Sequence, residues 1–146
     1  IKNNFQLILR NSNISSRFLL LLSEENKFMN FDQFKKYQPE ILEKMFASIG
    51  IEIDNFFIIN IDFKRVKENY ISKVKEILES YFIILCPKIL IDMCLEDLNK
   101  FCEVDKLKIN CSYFKIPSVS SMIKNPSLKR DAWSQLKLLQ VKLNEF

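Results

Sequence analysis

Phe18-Leu19-Leu20-Leu21-Leu22-Ser23-Glu24-Glu25-Asn26 is the stretch on which the reading of the fold turns. Five apolar residues are cut off by four polar ones. A run this short that is apolar on both faces predicts a central strand of a sheet covered on both sides. Phe56-Phe57-Ile58-Ile59-Asn60-Ile61 has the same character and predicts a second buried strand, followed by a basic loop with Lys64, Arg65 and Lys67. Ile89-Leu90-Ile91-Asp92-Met93 predicts a third, and residues 107–114 alternate well enough for a fourth.

Helical periodicity fills the gaps between these runs. Residues 39–49 place Ile41, Leu42, Met45, Phe46 and Ile49 at helical spacing, with Pro39 in the first turn and Gly50 just past the end. Gly50 is the chain's single glycine, and a helix C-cap accounts for it. Residues 71–85 carry Val74, Ile77, Leu78, Tyr81 and Phe82 at the same spacing and end before Pro87, although 81–86 also reads as extended. A short helix is predicted over 95–101, a loop over 115–124 and a closing helix over 126–144. Residues 1–17 read as a short helix or strand and a polar loop. Strands alternating with helices predict a three-layer α/β/α domain over residues 1–146, with a four-stranded, mainly parallel sheet.

Composition narrows the function classes. The 146 residues are 48% hydrophobic and 27% charged, a globular balance with enough chain for a real core. The net charge of +4 is compatible with nucleic acid and equally with a solvated surface carrying a small lysine excess. Four cysteines (Cys86, Cys94, Cys102 and Cys111) lack any Cys-x-x-Cys pair, and the chain has no histidine. Metal sites usually show paired ligands, so no metal or cofactor is expected, and reduced thiols suit an intracellular setting. No apolar run reaches the ~18 residues that span a bilayer, and no signal peptide is evident, so no membrane association is expected.

Asn125-Pro126-Ser127-Leu128-Lys129-Arg130-Asp131-Ala132-Trp133 is the least generic run in the chain. A turn opens a helix in which Leu128, Trp133, Leu136 and Leu139 sit at helical spacing, with Lys129 and Arg130 on the outer side. The layout resembles the last motif of the uracil-DNA glycosylase superfamily, family-4 type, where a His-Pro-Ser loop precedes an Asn-Pro-x-Leu-Lys-Arg-x-Ala-Trp helix. Three further pieces follow in the family's order. Residues 41–51 are similar to its Leu-Leu-Asp-Lys-Met helix ending in Ile-Gly. Residues 57–61 are similar to its Tyr-Ile-Thr-Asn-Val strand, and residues 86–91 to its Arg-Pro-Lys-Val-Ile strand. The likeness spans residues 18–140 with shortened loops.

The resemblance implies a base pocket and a DNA-facing edge. Phe34 falls at the aromatic position that stacks on uracil, and Asn60 at the amide that reads its edge. A flipped base needs such a face and such a donor-acceptor pair. Glu24 falls in the family's glycine-rich first motif, here without glycines. Lys64, Arg65, Lys124, Lys129 and Arg130 fall near the edge that would meet phosphates. Phe34 reads more often as a core aromatic than as a stacking platform, and Asn60 somewhat more readily as a strand-end amide serving local backbone. Two departures matter. The cysteines that hold the family's iron-sulfur cluster are missing, with Lys64 and Val74 at two of the matching positions. The catalytic histidine is missing as well. Ser118 aligns there without a gap, Ile116 with a two-residue insertion. Losing one preorganised donor costs on the order of a hundred- to a thousand-fold in rate.

Three functions are therefore expected in order. The first is a glycosylase-like domain that has lost catalysis and serves as a DNA-associated binding or structural subunit, with a protein partner. The second is a divergent active uracil-DNA glycosylase of base excision repair, using Phe34, Asn60 and Ser118. The third is a replisome accessory subunit, because Pro117 to Trp133 also resembles the end of the psi subunit of bacterial DNA polymerase III. That role would use apolar surface such as a Phe-rich loop at 28–37.

Overall fold

The computed structural model describes residues 18–23, 36, 40–61, 71–94 and 111–145. Four strands, β1 (Phe18–Leu22), β2 (Phe56–Asn60), β3 (Ile89–Met93) and β4 (Ser112–Lys115), form one sheet in the order β2-β1-β3-β4. Every pairing is parallel, with Leu20 opposite Ile58 on one side and Ile91 on the other. The fold is thus α/β, with an all-parallel sheet. The helices are α1 (Glu40–Ala47), α2 (Ile71–Leu85), α3 (Val119–Lys124) and α4 (Leu128–Leu143).

Strand alternation sends side chains to two cores. Leu20, Leu22, Phe56, Ile58, Ile89, Ile91, Met93 and Phe114 meet Leu42 and Phe46 of α1 and Ala132, Leu136 and Leu139 of α4. On the other face Leu19, Leu21, Phe57, Ile59 and Leu90 meet Val74, Leu78 and Phe82 of α2. Both faces of β1 are therefore buried, as its unbroken apolar run requires. The chain moves from β1 to β2 in one direction across the sheet, then reverses past β1 to reach β3. Right-handed crossovers place the connecting helices on opposite faces when the direction reverses, which is where α1 and α2 lie.

Local chemistry sets the helix ends. Gly50 closes the turn after α1 at φ 80°, a left-handed conformation that favours glycine. Cys86 takes the same role after α2 at φ 45°, its N–H donating to the Phe82 carbonyl at 3.0 Å, with Pro87 preventing continuation. Helix α2 ends at Leu85, so residues 81–85 are helical rather than extended. Asn125 Oδ1 accepts from the Ser127 hydroxyl at 2.6 Å, and the Leu128 N–H donates to the Asn125 carbonyl, building the turn that opens α4.

Three expectations are corrected. Residues 119–124, predicted as loop, form α3, because Ser118 caps it and Val119 and Met122 are buried against the first core. Strand β4 runs from Ser112 to Lys115, one residue beyond its predicted end, while residues 107–110 lie outside the described part. Trp133 was grouped with the inner face of the last helix, yet it is 44% exposed. At 100° per residue Ala132, not Trp133, lines up with Leu128, Leu136 and Leu139. The helix predicted over 95–101 and the reading of residues 1–17 also fall outside the described residues.

Candidate functional site

In an open parallel sheet a ligand site lies beyond the carboxyl ends of the strands, where the strand order reverses. Here the reversal lies between β1 and β3, so Leu22, Asn60, Met93 and Lys115 mark the relevant end.

Asn60 is the last residue of β2, paired with Leu22 of β1. It follows Phe56 and Ile58 at strand spacing and so lies on the α1–α4 side of the sheet. It has no solvent exposure. A buried amide persists where its hydrogen-bonding groups have partners. With no exposure, the amide is closed to a base as it stands.

Ser118 is also buried, and its role is local. Its Oγ accepts from the Ser121 N–H at 3.1 Å and donates to the Ser121 Oγ at 2.8 Å. This is an N-cap, which satisfies one of the free donors of a helix start. The single hydroxyl proton is already spent on Ser121. Ile116, the other residue at the histidine position, is an apolar side chain with no exposure. Asn60 and Ser118 also stand far apart in the sheet order, since β2 and β4 are opposite edges, roughly 14 Å apart from the strand spacing.

Lys124, Lys129 and Arg130 are all exposed around the turn from α3 to α4. None forms an ion pair with another described residue. Glu24, Phe34, Lys64 and Arg65 lie outside the described residues.

One cluster at the strand ends escaped the sequence reading. Asp92, fully buried on β3, accepts at Oδ1 from the Cys94 N–H at 2.9 Å and at Oδ2 from the Tyr113 hydroxyl. Lys115 Nζ lies 3.3 Å from Asp92 Oδ1 and donates to the Cys94 carbonyl at 2.7 Å. The cluster sits on the α2 side of the sheet, opposite to Asn60, because Asp92 is one residue out of step with Ile91 and Met93. The signal was available. An acid inside an apolar strand must be paired, and Tyr113 and Lys115 alternate on the neighbouring strand. With its acceptors occupied by three donors, Asp92 serves to hold β3 to β4 at the strand ends.

The thiols differ in exposure. Cys86 is exposed and Cys94 buried. Burial pushes the Cys111 thiol up to about 11, with a smaller contribution of the same sign from Cys86 and an opposing one from the Leu90 backbone. A thiol at about 11 is only about 0.1% thiolate at pH 8, and the thiolate is the nucleophile. Brief iodoacetamide treatment at pH 8 should therefore label Cys86 well before Cys111, with Cys111 catching up only as the pH approaches 11. Peptide mass spectrometry reads this directly, and equal labelling at pH 8 would contradict the burial of Cys111.

Among the described residues no three His, Cys, Asp or Glu side chains are grouped to hold a metal ion, and no helix is long and apolar enough to cross a membrane. Comparison of the chain with protein-family models, with curated proteins and with solved structures returned no match to any of them.

Proposed function

We propose that the chain is a uracil-DNA glycosylase-like domain that has lost catalysis and acts as a DNA-associated binding subunit. The observation that carries this reading is the state of Ser118. The one hydroxyl at the position of the missing histidine is buried and commits its proton to Ser121, so this position aims no donor at a leaving base. The enclosed Asn60 supports the same conclusion, since an amide that reads a flipped base must be reachable. Support for DNA comes from the exposed Lys124, Lys129 and Arg130 around the α3–α4 turn, a set of cations without acidic partners among the described residues.

The test uses a fluorescein-labelled, uracil-containing single strand at high protein concentration. Binding by anisotropy should weaken steeply with salt, and no uracil should be released. Lys129→Gln with Arg130→Gln should lower the salt slope by about 1.4, at roughly 0.7 per phosphate contact on a single strand. Uracil release that vanishes in Asn60→Ala would overturn the reading in favour of a divergent active glycosylase.

A second reading, a replisome accessory subunit, draws on Ile83 and Ile84. These two residues near the end of α2 are 68% and 72% exposed and offer apolar surface to a protein partner. Absence of DNA binding in the same titration would favour it.

A further inference from the structure

We infer that Trp133 is a stacking platform for an unpaired base, and that α4 carries a single-stranded nucleic acid along the face around it. The inference rests on the DNA-associated reading above and adds a residue and a substrate class to it.

Trp133 is the only tryptophan of the chain, and at 44% exposure it leaves the core stripe of α4 to Ala132, Leu136 and Leu139. Its neighbours on the helix surface are the residues three and four positions away. Outward-facing among them are Lys129 at i−4, Arg130 at i−3 and Lys137 at i+4, all exposed; the other neighbour, Leu136 at i+3, is buried. Lys137 Nζ already sits over the indole, 5.7 Å from the ring centroid. The stripe continues one turn on with Val141, 62% exposed. Among the described residues no carboxylate joins this group. Asp131 lies two residues from Trp133, about 200° around the helix, and Glu145 is twelve residues on, about 18 Å along the axis. Lys124 and the turn at Asn125 extend the basic edge beyond the helix start.

An exposed indole ringed by three cations matches one ligand chemistry closely. Bases of a single strand expose their faces and stack on aromatic side chains, while the phosphates between them meet lysine and arginine. A duplex hides its base faces, so it would engage the cations and leave the indole unused. Trp133 is the sixth residue of α4, which begins just after the segment leaving the carboxyl end of β4.

A single tryptophan makes the test direct, since all indole emission comes from this position. A ten-nucleotide oligothymidine is titrated into the full chain, with quenching and anisotropy followed together. The expected result is quenching that saturates with binding, none with a duplex of equal length, and a salt slope near −2 from three phosphate contacts. Trp133→Ala should weaken binding by roughly 5- to 150-fold, while Trp133→Phe, which keeps an aromatic face, should stay within a few-fold of wild type. Far-ultraviolet circular dichroism confirms that both variants fold. Binding without quenching, unchanged in Trp133→Ala, would overturn the platform and leave the basic corner intact. No binding of either nucleic acid, with polyglutamate quenching instead, would overturn both and identify an acidic protein partner.

Discussion

Replacing Phe46 with alanine is expected to destabilise the protein by about 3–5 kcal/mol, the largest effect of any single truncation considered. Phe46 is among the largest side chains with no exposure. It projects from α1 onto the sheet, its ring 4.8 Å from that of Phe56 at an interplanar angle of 59°. Phe56 in turn lies 6.2 Å from Phe18 across the β1–β2 pair. The loss has two parts: the apolar area of the ring, and a cavity that its surroundings cannot close. The sheet beneath is held by the parallel ladders of β1, β2 and β3, so it does not rise to fill the space. The tilted contact with Phe56 adds about 0.5–1.5 kcal/mol beyond burial. Urea denaturation measures the change, and Phe46→Leu should recover more than half of it. A cost below about 1 kcal/mol for Phe46→Ala would mean that α1 does not pack on the sheet as described.

Lys115→Met is expected to cost about 1–3 kcal/mol, for an electrostatic reason. Breaking a fully buried ion pair by removing one member typically costs 3–5 kcal/mol, because the other charge is left uncompensated. Asp92 is fully buried, but the Lys115 side chain is 47% exposed, so water replaces part of what the ammonium supplies. The Cys94 carbonyl also loses its 2.7 Å donor. Neutralising the acid as well, in Asp92→Asn with Lys115→Met, should cost less than the sum of the single changes. The amide still accepts from Tyr113 or Cys94 and leaves no stranded charge. A double-mutant cycle reads this as a coupling of about 1 kcal/mol or more. Strict additivity would show that Asp92 and Lys115 do not act on each other.

The elements of this fold were written in local periodicity. Phe18–Leu22, Phe56–Asn60 and Ile89–Met93 are strands because short apolar runs fit only a sheet covered on both faces. Ile71–Leu85 is a helix because Val74, Leu78 and Phe82 return every turn and Pro87 forbids more. The Asn125 turn and the helix after it were legible for similar reasons, as side chains that act within four residues leave their signature in order. Helix α3 was not legible. Val119-Ser120-Ser121-Met122-Ile123-Lys124 has little helical propensity, and it is held by the Ser118 cap and by burial of Val119 and Met122. The same cap decides that Ser118 spends its proton on Ser121, which no alignment of residue types reveals.

What the sequence by itself determined is the class of fold, the positions of its strands and principal helices, and the absence of histidine. Tertiary structure alone decided the strand order β2-β1-β3-β4, which face each helix covers, and which side chains meet. Asp92 finds Tyr113 and Lys115 21 and 23 residues away only because β3 and β4 lie side by side in one register. Trp133 stays outside because a 100° step gives its place in the core to Ala132. Periodicity records which side of an element is apolar, but the partner of that side is chosen by packing between segments distant in the chain, and a local pattern carries no trace of that choice.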